Sequence, residues 1–144
     1  MLAVTRALAA PFELMELVEE IARAACRLLR AERASVWLHD ERAGELVASV
    51  ADDIRGIRIR TGTGLVGACA RDRARINVPD CYADRRFDPS TDRRTGFRTR
   101  CSLTLPLIDH RDELIGVMQV INRHDGVFDG DDEALAQAMQ SLRG

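Results

Sequence analysis

Between residues 11 and 32, PFELMELVEEIARAACRLLRAE places Leu14, Leu17, Val18, Ile21, Ala25 and Leu28 at helical spacing, so a first amphipathic helix is expected there. Glu13, Glu16, Glu19 and Glu20 lie early in it and Arg23, Arg27 and Arg30 late, the order that suits a helix dipole. The period then shortens. ASVWLHD sets Ala34, Val36 and Leu38 on one face, and ELVASVA alternates again after the turn ERAG, which predicts an antiparallel hairpin. A short third strand is expected around Ile57 and Ile59. GTGLVGACARDRA reads as a short helix entered through Gly62 and Gly64, and ARINVP as a brief strand ended by Pro79. SLTLPLID and LIGVMQVIN are two more strands joined by HRDE. A helix over 129–142 follows, with Leu135, Ala138, Met139 and Leu142 on one face.

Residues 80–100, DCYADRRFDPSTDRRTGFRTR, carry no clear long period. A compact domain rarely holds so long a connection unless it binds something or is disordered. Tyr82, Phe87 and Phe97 are spaced through it as anchors, which argues for an ordered, binding segment. The element order predicts an α+β fold, mostly antiparallel, with the terminal helices over one face of the sheet. That layout is sensor-like and equally compatible with a PAS-like arrangement.

Composition narrows the function classes. A chain of 144 residues, 46% apolar and 31% charged, is expected to be one domain with a substantial core. No apolar stretch approaches the ~18 residues of a membrane span. The start, MLAVTRALAAPFELMEL, reads as helix lead-in and lacks the apolar core and cleavage site of a secretory signal. The net charge of −2 speaks against nucleic acid. All 21 basic residues are Arg, which fits a GC-rich genome and supplies planar forks for carboxylates or phosphates. Cys26, Cys69, Cys81 and Cys101 form no CxxC pair, so no metal site is expected and free thiols of a cytoplasmic protein are. His39, His110 and His124 fall near turns or strand ends, and no Ser-His-Asp order or phosphate loop appears, so no catalytic residue is assigned. Arg85, Arg86, Arg93, Arg94, Arg98 and Arg100 read either as a phosphate-binding rim or, with their interspersed Asp residues, as a mixed solvated loop.

The stretch INRHDGVFDGDDEAL, residues 121–135, joins the last strand to the last helix. Asp129 as N-cap with Asp132 three residues on makes an acidic capping box, and Asp131, Asp132 and Glu133 suit a first helical turn. A helix start leaves Asn122, Arg123 and Phe128 unexplained. An ion pair from Arg123 back to Asp132 across the loop would tie the strand to the helix.

The pattern N-R-x4-F-x3-D-E, as Asn122, Arg123, Phe128, Asp132 and Glu133, resembles the signature of GAF domains of the cyclic nucleotide phosphodiesterase and adenylyl cyclase type. TGTGLVGACA, RINVPDCYADRRFD, STDRRTGFRTRCSLTLPL and LIGVMQVINR resemble further segments of that family in the same order, from about residue 13 to 142. The resemblance implies a PAS-related, six-stranded antiparallel sheet. Its N- and C-terminal helices lie on one face, and short helices with a lid loop lie on the other. It implies that the N-R-F-D-E residues brace the lid without touching ligand. It places Ser35, Leu65, Val66, Asp92, Thr95 and Thr99 against a ligand, cAMP or cGMP. Two departures stand out. Nucleotide-binding members often have an aromatic followed by Asp where Ala51-Asp52 stands here, and some have Glu at Gln119. A missing base stack weakens binding by about 1–3 kcal/mol.

The implied protein is a cytoplasmic, non-enzymatic regulatory domain spanning 1–144, part of a longer signalling protein. It would be covalently linked to an output domain and would form a homodimer through its terminal helices. The alternative is the same architecture holding a different small ligand or none and working by dimerisation. A third thought, reduction of free methionine sulfoxide through Cys69, Cys81 or Cys101, finds no matching motif. Cys81 also lacks the Cys-His context of bilin-attaching members.

Overall fold

The computed structural model describes residues 12–50 and 54–139. The elements are α1 (Phe12–Leu28), β1 (Ala31–Asp40), β2 (Glu45–Val50), β3 (Arg58–Arg60), α2 (Gly64–Asp72), β4 (Ile76–Val78), a single 3-10 turn (Cys81–Ala83), α3 (Ser90–Thr95), β5 (Ser102–Ile108), β6 (Leu114–Arg123) and α4 (Gly130–Met139). The six strands form one antiparallel sheet in the order β3-β2-β1-β6-β5-β4. Two hairpins, β1–β2 and β5–β6, are joined through the central β1–β6 pair.

Both faces of this sheet are covered, and the strands therefore carry apolar side chains on both sides. On one face, Val36 and Leu38 of β1, Leu103, Leu105 and Leu107 of β5, and Met118 and Val120 of β6 pack under Val18, Ala22 and Ala25 of α1 and Ala136 of α4. On the other, Trp37, Leu46, Ala48 and Val117 pack under α2, β4 and Cys81. Pro106 sits inside β5 without breaking the ladder. Its missing N–H points to the side where β4, paired only from Ser102 to Thr104, has already ended.

Several expectations shift. The buried stripe of α1 is Val18, Ala22, Ala25 with Leu29 just beyond it, while Leu17 and Leu28 are exposed. The apolar positions are wider than one face, and packing selects the small alanines because they let α1 approach the sheet closely. In α4 the buried positions are Asp132 and Ala136, Leu135 is exposed, and Leu142 lies outside the described residues. The 80–100 connection contains helix α3. Pro89 at its start and Gly96 at its end, the latter with φ 78°, are the signals that mark it. Tyr82 does not enter the core: it is 42% exposed and its ring meets Phe87 at 4.9 Å.

Gly116 is set by close approach. A Cβ there would stand 2.2 Å from the Trp37 carbonyl oxygen on the neighbouring strand. Gly116→Ala is expected to destabilise the fold by about 3 kcal/mol through forced separation of the two central strands. The melting temperature should fall by roughly 10 °C, read by thermal circular dichroism, and an unchanged value would refute the packing account.

Candidate functional site

A cavity of about 860 Å³ lies between the sheet and the 80–100 segment. Ser35, Trp37, Gln119 and Ile121, side by side on the pocket face of β1 and β6, make its floor. Ile57 and Ile59 form a side wall, and the start of α2, with Thr63, Gly64, Leu65 and Val66, closes one end. Phe87, Asp92, Thr95, Phe97 and Thr99 form the lid. The cavity also reaches Glu19, Ala22, Arg23 and Cys26 of α1 on the far face of the sheet, which pattern reading missed. Spacing along α1 shows that these four share one side of the helix. Only the fold shows that this side meets a cavity.

The end formed by α2 is electropositive by construction. The first N–H to find a helical acceptor is that of Gly67, on Thr63 O at 3.0 Å, so the N–H groups of Gly64, Leu65 and Val66 are left over. Thr63 makes no side-chain cap and the first turn carries no acid, so the dipole is not satisfied by the helix itself. Gly67 holds the turn against β3: a Cβ there would lie 2.7 Å from Arg60 O. Asp88 stands nearby but turns its carboxylate to the N–H of Ser90 at 3.0 Å.

The lid is bound internally. Tyr82 Oη–H donates to Asp92 Oδ2 at 2.7 Å, Thr99 N–H to the same oxygen at 2.7 Å, and Thr99 Oγ1–H to Asp92 Oδ1 at 2.7 Å. Three of a carboxylate's roughly four acceptor directions are therefore taken within the lid. Tyr82 in turn holds its proton more firmly than usual because Asp92 accepts it. Thr95 closes α3, its Oγ1 donating to Thr91 O and accepting from Phe97 N–H. Two cation–π contacts steady the lid, Arg33 over Phe97 at 4.0 Å beside the cavity and Arg98 over Tyr82 at 4.2 Å. Arg86 pairs with Asp84 and Arg100 donates to the Gly126 and Arg123 carbonyls, so these two serve the loop. Arg94 lines the cavity. Ala51 and Asp52 lie outside the described residues.

Beneath the lid, the end of β6 gathers three elements. Asn122 adopts φ 60°, a left-handed conformation that Asn tolerates better than most residues. Its Oδ1 accepts from Arg100 N–H at 2.6 Å and Cys101 N–H at 3.3 Å, and its Nδ2 donates to Arg98 O and Glu32 Oε1, each at 2.9 Å. Arg123 Nε donates to Asp132 Oδ2 at 2.9 Å, and Asp129 and Asp132 exchange side-chain-to-backbone bonds of 2.9 Å at the start of α4. Those bonds hold the Asp129 carboxyl below its ordinary range, the Asp132 N–H foremost. Phe128 is buried in the helix-side core. Glu133 accepts from Asn77 at 2.9 Å and meets Arg75 at 3.4 Å, which fastens α4 to β4. Asn122, Arg123, Phe128, Asp132 and Glu133 do not line the cavity.

Three of the four thiols lie in the core. Cys69, Cys81 and Cys101 are fully buried, and the one cysteine at the cavity is Cys26, whose Sγ–H donates to Ala31 O at 3.1 Å. Burial pushes Cys69 up to about 12 and Cys81 up to about 11. Among the described residues no group of acidic, His or Cys side chains is arranged to hold a metal, and no helix is long and apolar enough to cross a membrane.

The sequence model for the GAF domain matches residues 13–142. A probable 3',5'-cyclic phosphodiesterase, pde-5, of Caenorhabditis elegans is 32% identical across 74% of this chain and 16% of its own. The dual 3',5'-cyclic-AMP and -GMP phosphodiesterase 11 of Drosophila melanogaster is 41% identical across 49% of this chain and 5% of its own. The chain thus spans about a sixth or less of the length of these relatives. Among solved structures, the GAF domain of a phosphoenolpyruvate-protein phosphotransferase from Coxiella burnetii superimposes with a TM-score of 0.76 at 21% identity, over 96% of this chain and 83% of that one. A free methionine-R-sulfoxide reductase from Neisseria meningitidis, in complex with its substrate, gives 0.71 at 21%, over 88% and 74%. Both likenesses concern the fold.

Two outcomes follow from this geometry. Arg123→Ala and Asp132→Ala should each destabilise the fold by about 2 kcal/mol, since each leaves a mostly buried charge or a lost cap. The Asp132 change should be the larger, because Asp132 also accepts from Asp129, and silent single variants in urea melts would refute the ion-pair account. In native protein at about pH 8, thiol reagents should modify Cys26 first, while Cys69, Cys81 and Cys101 wait for unfolding. Fast labelling of Cys69 or Cys81, read by peptide mass spectrometry, would overturn their assignment as core thiols.

Proposed function

The chain belongs to the GAF domain family, and we propose that it is a regulatory module whose cavity senses a small anionic ligand, a cyclic nucleotide such as cAMP or cGMP. The observation that carries this reading is the enclosure itself. A polar-centred floor, an uncapped helix start and an ordered lid face one another across a volume within the usual range for small-molecule sites. A cyclic phosphate would lie at the N–H groups of Gly64, Leu65 and Val66, where a helix start favours negative charge. The base would lie over Ser35 and Gln119, with Thr95 and Thr99 closing on the sugar side. Asp92 then acts through the lid it organises. The names of the relatives, cyclic nucleotide phosphodiesterases, support the same class.

In this reading the domain is one part of a longer cytoplasmic protein with a covalently attached output domain, and it performs no chemistry of its own. Ligand closure reaches the output through α1 and α4. The contact of α1 with the cavity through Glu19, Arg23 and Cys26 offers a direct route.

A second reading, dimerisation with another ligand or none, is favoured by the apolar groups left outside. Phe12, at 73% exposure, with Leu17 and Leu28 of α1 and Leu135 of α4, would be covered by a second copy.

Thermal unfolding with and without about 1 mM cAMP or cGMP tests the choice. A ligand at about a hundred times its dissociation constant should stabilise the domain by about 2.7 kcal/mol and raise the melting temperature by several degrees. No shift with either nucleotide, together with a dimer by sedimentation, would favour the second reading.

A further inference from the structure

Helix α1 carries a second apolar line besides the one it buries. Val18, Ala22, Ala25 and Leu29 face the sheet. Leu17, Ile21, Ala24 and Leu28 recur at intervals of four, three and four residues, the spacing of a coiled-coil seam. At about 100° per residue, this line stands about 100° around the helix from the buried one. Leu17 is 42% exposed and Leu28 48%, while Ile21 and Ala24 are half-buried. The charges beside the line are sorted. With Leu17 and Ala24 at d and Ile21 and Leu28 at a, Glu13, Glu20 and Arg27 fall at g along one border, and Val18 and Ala25 fall at e along the other. The e border is buried against the sheet and the g border is exposed. Glu20 and Arg27 are about 10 Å apart along the axis, too far to pair with each other. Among the described residues neither takes part in an ion pair, and the pair on α1 joins Arg23 to Glu19 instead.

We propose that α1 is the seam of an antiparallel homodimer whose direction is fixed by Glu20–Arg27 pairs across it. This rests on the dimer of the second reading and holds whether or not the cavity takes a nucleotide. In two parallel helices each g residue faces an e residue of the other copy. Glu20 would then meet Ala25 of the second copy, and Glu13 its Val18, both already covered by their own sheet. Turned end for end about a two-fold axis, the g borders face each other. Leu17 then lies opposite Leu28 of the second copy, Ile21 opposite its Ala24, and Glu20 beside its Arg27, each contact made twice. The whole helix is sorted the same way, with its acids at or before Glu20 and its bases at or after Arg23. Reversal brings unlike halves together, and a parallel pair brings like against like.

The test is sedimentation equilibrium of the 144-residue chain at low salt, with Glu20→Arg, Arg27→Glu and the double variant beside it and circular dichroism confirming that each folds. Either single reversal turns two attractive pairs into two repulsive ones and should weaken the dimer by about tenfold. The double variant should return to within about threefold of the native chain, because the pairs are restored with their charges exchanged. Oxidation of a mixture of Leu17→Cys and Leu28→Cys chains adds a geometric readout. A disulfide from position 17 to position 28, identified by peptide mass spectrometry, is expected, because two copies of position 17 would stand about 16 Å apart. A bridge between two copies of position 17, or single reversals that leave the dimer unchanged, would overturn the direction and leave the dimer standing. A double variant as weak as the singles would overturn the Glu20–Arg27 pairing. A chain that stays monomeric up to about 200 µM would remove both the dimer and its direction.

Discussion

Asn122 sits where the lid, the sheet and the first strand meet, and its amide serves all three. Its oxygen accepts from the backbone of Arg100 and Cys101, and its nitrogen donates to the Arg98 carbonyl and to Glu32. No other side chain of this size supplies two donors and two acceptor directions on a backbone that turns through positive φ. The next residue, Arg123, reaches the opposite way, to Asp132 at the start of α4. Lid and terminal helix are therefore anchored one residue apart on the same strand. A displacement of the lid's end is mechanically close to a displacement of α4.

The lid itself is organised around an acid that would be costly to bury alone. Asp92 is 8% exposed and is compensated by Tyr82 and by both the backbone and side chain of Thr99. This closes a ring of contacts within the 80–100 segment. The opposite end of the cavity is built by backbone. Gly67 lets α2 approach β3 closely, and the unused N–H groups of the first turn face the enclosed space. Between them, the floor sets Ser35 and Gln119 in register on β1 and β6.

Much of this was legible in the residue pattern because it depends on local rules. Alternation on β1 and β2 reports strands, and the acidic box at Asp129–Asp132 reports a helix start whatever lies around it. The motif spacing from Asn122 to Glu133 pointed to the family, and with it to a six-stranded antiparallel sheet. Pattern misread where two faces competed. Leu17 and Leu28 looked as buried as Val18, and only the fit of Ala22 and Ala25 against the sheet decided which side turned inward. Helix α3 escaped notice because six residues are too few for a period, although Pro89 and Gly96 bracket it.

The sequence by itself determined the four long strands, the two terminal helices and the ionic joint at the end of the last strand. Each is set by contacts a few residues apart or by periodicity. Tertiary structure alone decided that Asp92 gathers Tyr82 and Thr99 within the lid, that Cys26 of α1 touches the cavity while three other thiols do not, and that Gln119 has Ser35 and Thr104 as its neighbours. Those facts depend on which strands pair and in what register. A shift of one residue along β6 would turn Gln119 to the opposite face and dissolve the floor, while barely changing the pattern from which the strand was read.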